Sequence, residues 1–84
     1  MVTVTVRYFA AARAAAGTAQ EQITSRATPS VGAVLAIAAD RHGAQLGKVL
    51  QRCSYLLDAV AVHSTDAPVG DGQVLDVLPP FAGG

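Results

Sequence analysis

Eighty-four residues of zero formal net charge, 51% of them hydrophobic, leave room for one small domain with one core. They leave none for a separate substrate domain or a large buried cofactor, and the neutral balance argues against general nucleic-acid binding. Cys53 is the only cysteine, which excludes an internal disulfide and a cysteine-based metal cluster and fits a reducing, cytoplasmic setting.

The chain opens Met-Val-Thr-Val-Thr-Val, with no basic leader and no long apolar run. Neither a signal peptide nor a membrane span is expected there. Residues 2–9 alternate with period two, placing Val2, Val4, Val6 and Tyr8 on one side and Thr3, Thr5, Arg7 and Phe9 on the other, as a half-buried strand does. The alanine-rich residues 10–16 favour a short helix, with Arg13 facing solvent and Gly17 where a helix ends. Residues 19–27 predict a returning strand with Ile23 as its single large apolar residue.

Thr28-Pro29-Ser30 then punctuates the chain, and Ser30 suits an N-cap. Val31, Val34, Leu35 and Ala38 recur at helical spacing, so residues 31–42 form the main helix, closed by Gly43. Residues 44–52 predict a shorter helical piece with Leu46, Val49 and Leu50 turned inward. Residues 54–58 and 60–63 read as a tight hairpin about Asp58-Ala59. Asp71-Gly72 is a turn, and residues 74–78, Val-Leu-Asp-Val-Leu, alternate so little that a central strand buried on both faces is expected. The fold class is therefore α+β, with a mixed sheet of four to five strands on one main helix plus short helices.

Few side chains here resemble catalytic groups. A lone cysteine beside an apolar strand is more often a small buried hydrophobe than a redox thiol. His42 and His63 have no ligand-spaced companions, so no metal site is expected. His42 sits beside Gly43, where the end of a helix favours a positive imidazole. No Gly-Lys-Ser/Thr follows the glycines, so there is no phosphate loop.

The informative stretch is the end. Pro79-Pro80 stops the last strand, because proline donates no ladder hydrogen bond. Residues 79–84 form an extended tail beyond a domain of residues 1–78. The tail reaches roughly 20 Å when extended, and Gly83-Gly84 passes where any side chain would clash. Phe81 reads either as a core residue closing the sheet end or as an anchor for a partner's pocket, and its place beyond the prolines in a tail poor in side chains favours the anchor. All six Lys and Arg residues lie at or before position 52, and four of the six acids lie after it. If those halves are faces, the tail favours a partner that is basic around it.

With VRYFAAARAAAG at the start, VGAVLAIAADRHG in the middle and PVGDGQVLDVLPPFAGG at the end, the chain resembles the MoaD/ThiS sulfur carriers over nearly its whole length. The resemblance implies a ubiquitin-like β-grasp fold, and the Tyr8-Phe9-Ala10 opening is most similar to the MoaD branch. The hairpin departs from the family in having Asp58-Ala59 where Asn-Gly or Asp-Gly is usual.

The resemblance implies that a ubiquitin-activating-type adenylyltransferase uses ATP to adenylate the Gly84 carboxylate. A sulfur donor such as a cysteine desulfurase or rhodanese domain then converts it to a thiocarboxylate. In the MoaD branch, Pro80, Phe81, Ala82, Gly83 and Gly84 thread into the large subunit of molybdopterin synthase, and the sulfur passes to a pterin precursor for molybdenum cofactor. The chain itself would bind no cofactor and no metal, and would be the sulfur-donating subunit of a sulfurtransferase complex rather than a catalyst alone. A carrier for thiamin, cysteine or tRNA thiolation, a protein modifier, and an inert interaction domain are the rival readings.

Overall fold

A computed structural model of the protein describes residues 1–80; Phe81, Ala82, Gly83 and Gly84 of the expected tail lie outside the described residues. The elements in chain order are β1 (Val2–Tyr8), α1 (Ala10–Ala16), β2 (Gln20–Ser25), α2 (Val31–His42), α3 (Ala44–Leu50), β3 (Ser54–Leu57), β4 (Val60–Ala61) and β5 (Val74–Leu78). The strands form one mixed sheet in the order β2-β1-β5-β3-β4. β1 is antiparallel to β2 and parallel to β5, and β3 is antiparallel to both β5 and β4. With α2 laid across one face, this is the β-grasp arrangement.

The period-two pattern in β1 does what alternation requires. Val4, Val6 and Tyr8 are buried, and they pack with Ile23 of β2 and Leu75 and Val77 of β5. β1 ends one residue before the alternation does, because Phe9 leaves the ladder as the residue that opens α1. The predicted stripe of α2 is the observed one: Val31, Val34, Leu35 and Ala38 are its buried residues. Burying such side chains contributes about 1.5–3 kcal/mol for each Val or Leu. Ser30 caps α2, its hydroxyl accepting from Ala33 N–H at 3.0 Å. Gly43, at φ 101° and ψ −178°, occupies a backbone region open almost only to glycine, and so allows α2 to end and α3 to start at one residue. In α3, Leu46 and Leu50 are buried, and Val49 is half-buried against the core.

One expectation is corrected in the second half. The hairpin is present, but its strands are shorter than the apolar runs implied: Asp58 and Ala59 form the two-residue turn and β4 keeps only Val60–Ala61. β5 is central and buried on both faces, as its lack of alternation predicted: Leu75, Asp76 and Val77 are all buried. Leu75 and Val77 enter the core, while Asp76, on the opposite face, is buried where it pairs with Arg7.

Candidate functional site at the exit of the last strand

The register of β5 sets where the chain leaves the domain. Its neighbours hold it from both sides: Tyr8 of β1 lies opposite Val77, and Ser54 of β3 lies opposite Leu78. Phe9 N–H adds a bond to Val77 C=O at 3.3 Å. Pairing then stops at Pro79, as the missing N–H requires. Pro79 is half-buried and Pro80 is exposed.

The start of β5 is held as firmly. Asp58 Oδ1 accepts from Val74 N–H at 2.8 Å, and Oδ2 accepts from Gln73 Nε2 at 3.1 Å. The Val74 bond, followed by the Gln73 bond, draws the Asp58 carboxyl below its ordinary value. Asp71 Oδ1 accepts from Thr3 N–H at 2.8 Å. The strand that leads to the tail is therefore clamped at its beginning by two carboxylates and along its length by β1 and β3.

On the outer face beside the exit, Arg7 donates to Asp76 twice, Nε to Oδ1 at 2.5 Å and NH2 to Oδ2 at 2.8 Å. This two-pronged geometry raises the guanidinium pKa, mainly through the hydrogen bond and then through charge attraction. The Arg7 guanidinium also lies 5.9 Å from the centre of the Phe9 ring, which is partly exposed. Past Phe9, Ala10 has φ 50°, a left-handed conformation that costs a residue with a Cβ. That sharp turn swings α1 across the end of the sheet.

Between α1, the end of α3 and the end of β5 lies an apolar groove of about 610 Å³, walled chiefly by Phe9, Ala10, Leu78, Pro79 and Pro80, with Arg52 at its rim. Sequence order put the acids with the tail; the structure reverses this. Asp58 and Asp71 sit at the start of β5, Asp76 is consumed by Arg7, and the exit is bordered by Arg52. The reason is direction: β5 runs away from the acidic turn at 71–72 towards the ends of β1 and α3, which carry bases. The expectation of a partner basic around the tail is corrected accordingly.

A second polar cluster lies across the sheet, where α2 meets the edge strand β2. Glu21 accepts from Tyr8 OH at 2.5 Å and from Arg41 NH1 at 2.9 Å, and its Oε2 lies 2.5 Å from His42 Nε2. The rings of Tyr8 and His42 meet edge to face with centroids 6.1 Å apart. Burial pushes the Glu21 carboxyl up, but the hydrogen bonds from Tyr8, Arg41 and His42 outweigh it, and the net shift is downward. Burial, with Glu21 as acceptor, also raises the Tyr8 phenol well above its usual range. His42 does end α2 as expected, yet what holds it is Glu21. Sequence reasoning passed over Glu21, although its position two residues before Ile23 puts both on the inward face of one strand.

Of the other singled-out residues, Cys53 is half-buried, its thiol donates to Val49 C=O at 3.2 Å, and burial raises its pKa. Tyr55 donates to Leu50 C=O at 2.5 Å and is pushed up to about 12, chiefly by burial. His63 is exposed, beside the β3–β4 hairpin and remote from His42. No helix among the described residues is long and apolar enough to cross a membrane.

The ThiS family model matches residues 6–84. The chain belongs to the ThiS family. Solved structures of similar fold include a Pyrococcus furiosus protein described as molybdopterin converting factor subunit 1, 26% identical, with a TM-score of 0.81 over 96% of this chain and 100% of that one. Subunits 1 and 2 of the molybdopterin-converting factor of Helicobacter pylori, solved as a complex, contain a match 24% identical at a TM-score of 0.72, covering 99% of this chain and 100% of that one. The small archaeal modifier protein 1 of Haloferax volcanii is 18% identical at a TM-score of 0.84, covering 96% and 100%. No curated protein sequence matches the chain. As a ThiS-family member the chain is a ubiquitin-like sulfur carrier.

Proposed function

We propose that this ThiS-family chain carries sulfur on Gly84 and serves as the small subunit of a molybdopterin synthase. The observation that carries the proposal is the family match running through the Gly-Gly end, with the tail leaving a strand clamped on both sides. The Pyrococcus furiosus relative described as subunit 1 of the converting factor supports the pterin branch.

The chemistry asks little of this chain's side chains. A carboxylate is a poor electrophile until transfer of AMP from ATP, with loss of pyrophosphate, makes it a mixed anhydride. The adenylating partner binds that ATP. Sulfide displaces AMP and leaves a thiocarboxylate directly. A persulfide donor instead displaces AMP to give an acyl disulfide, whose S–S bond a second thiol of the donor then cleaves, forming a disulfide and releasing the thiocarboxylate. That group is ionised at neutral pH and nucleophilic through sulfur. The chain's task is to present this atom on a narrow tail inside the large subunit, at high effective concentration, with acid and base groups supplied there.

The test is intact-mass measurement after incubation with the adenylating enzyme, ATP and a sulfide source. The expected result is a mass gain equal to exchange of one oxygen for sulfur, absent when Gly84 is deleted. No gain overturns the carrier chemistry, and lysine-linked adducts in extract point to a modifier instead. Two equivalents of the loaded protein, mixed with the large subunit and the pterin precursor, are expected to yield the dithiolene, one sulfur from each. Loading without that transfer reassigns the sulfur to thiamin, cysteine or tRNA thiolation.

A further inference from the structure

Among the described residues, the unpaired charges lining the grooves around the tail exit are of one sign. Arg52 borders the apolar groove at Pro79 and Pro80. Lys48 and Arg52 border the adjoining surface of α3, and Arg13 borders the next groove along α1, which shares Ala10 with the first. Among the described residues, no acid lines any of these three grooves. Among the described residues, Arg13, Lys48 and Arg52 make no ion pair, whereas Arg7 and Arg41 do. The acids nearest β5 are spent elsewhere: Asp76 on Arg7, Asp58 and Asp71 on backbone at the strand's far end. A neutral chain has thus been sorted along β5, with exposed positive charge where the tail leaves.

We propose that the rim of this exit is a docking surface for a protein partner whose channel mouth is acidic. An apolar side chain of that partner fills the groove between Phe9 and Leu78–Pro80, and a flanking carboxylate pairs with Arg52. This inference rests on the carrier reading, because a tail must enter the channel for its mouth to meet the rim. Charge complementarity argues for this occupant over a purely apolar one: exposed Arg52 on the groove, with Lys48 and Arg13 on the adjoining surfaces, repels a basic surface and goes unanswered by a neutral one. Partners that must bind, discharge and leave also gain from attraction that speeds encounter without deepening the bound state.

The experiment is steady-state adenylation of the full-length chain by its own organism's adenylating enzyme, with carrier concentration varied at several ionic strengths. The variants are Arg52→Glu, Arg52→Lys and Arg26→Glu. Arg26 follows Ser25, which lies opposite Val2 at the far end of the sheet, so its reversal changes net charge equally but away from the exit. Both arginines are exposed, and matched melting curves establish that each variant is folded. Arg52→Glu is expected to raise KM about tenfold with kcat nearly unchanged. Arg52→Lys should stay near the unmodified chain, and Arg26→Glu should have little effect. Encounter with the unmodified chain should slow as salt rises, and that dependence should flatten in Arg52→Glu. An Arg52→Glu variant indistinguishable from Arg26→Glu, or a salt-independent unmodified chain, overturns the inference while leaving the carrier reading standing. An unmodified chain that is never adenylated overturns both.

Discussion

Replacing Ala59 by glycine should stabilise this protein, although it removes a side-chain atom. Asp58 and Ala59 are the two loop residues of the β3–β4 hairpin, at φ 47° and 66°. Positive φ at both positions is what a two-residue turn needs to match strand twist, and Asp-Gly is its preferred sequence. An L-residue in the left-handed region costs roughly 1–2 kcal/mol, and Ala59 is exposed, so its methyl group recovers nothing by burial. Glycine removes that cost but returns about 0.4–1 kcal/mol to the unfolded chain as added freedom. The net gain is about 0.5–1 kcal/mol, which at this size raises the melting temperature by about 2–8 °C. Thermal unfolding followed by circular dichroism measures it, and the urea midpoint should rise at unchanged slope. Ala59→Val, which adds β-branching at the same φ, should lower the midpoint. A glycine variant that melts at or below the unmodified protein would refute the reasoning, since the turn would then carry no strain to release.

Three further outcomes follow from the polar contacts. Arg7→Ala should cost about 1–3 kcal/mol, because it strands the buried Asp76 carboxylate; Asp76→Asn should cost less, since Arg7 is half exposed and can turn to solvent, and equal losses in thermal melts would contradict this ordering. Glu21 and Asp58 both have lowered pKa values in the folded state, so the unfolded chain binds more protons in acid and stability must fall as pH falls. Urea midpoints should hold steady above the ordinary carboxylate values of 4.5 and 3.8 and decline below them, with a shallower decline in Glu21→Gln. Cys53→Ala should load sulfur on Gly84 as fast as the unmodified chain, because burial raises the Cys53 thiol away from reactivity; a mass-spectrometric loading assay that shows a lost or slowed gain would place Cys53 in the sulfur path.

Periodicity made most of the scaffold legible. The alternation of residues 2–8 and the Val31–Val34–Leu35–Ala38 stripe state which face is buried without knowledge of what covers it. Ser30 and Gly43 mark the ends of α2 by local chemistry alone. These features depend on neighbours within a turn or two of the chain, and such interactions are written in residue order. The resemblance of the Gly-Gly end to sulfur carriers was legible for the same reason, and the residues that would bear the sulfur lie outside the described structure.

Other features depended on which distant segments meet. Arg7 and Asp76 are 69 positions apart, and nothing local to either announces their pairing; it exists because β1 and β5 run parallel in one register. The Glu21 cluster needs β1, β2 and the end of α2 brought together. The charge around the tail is the sharpest case. Counting along the chain groups the acids with the last strand, but strand direction carries the exit away from them and into the company of Arg52. Residue order determined what each segment could become, and long-range register decided which charges a partner approaching the tail would meet, because electrostatic attraction acts through space and not along the backbone.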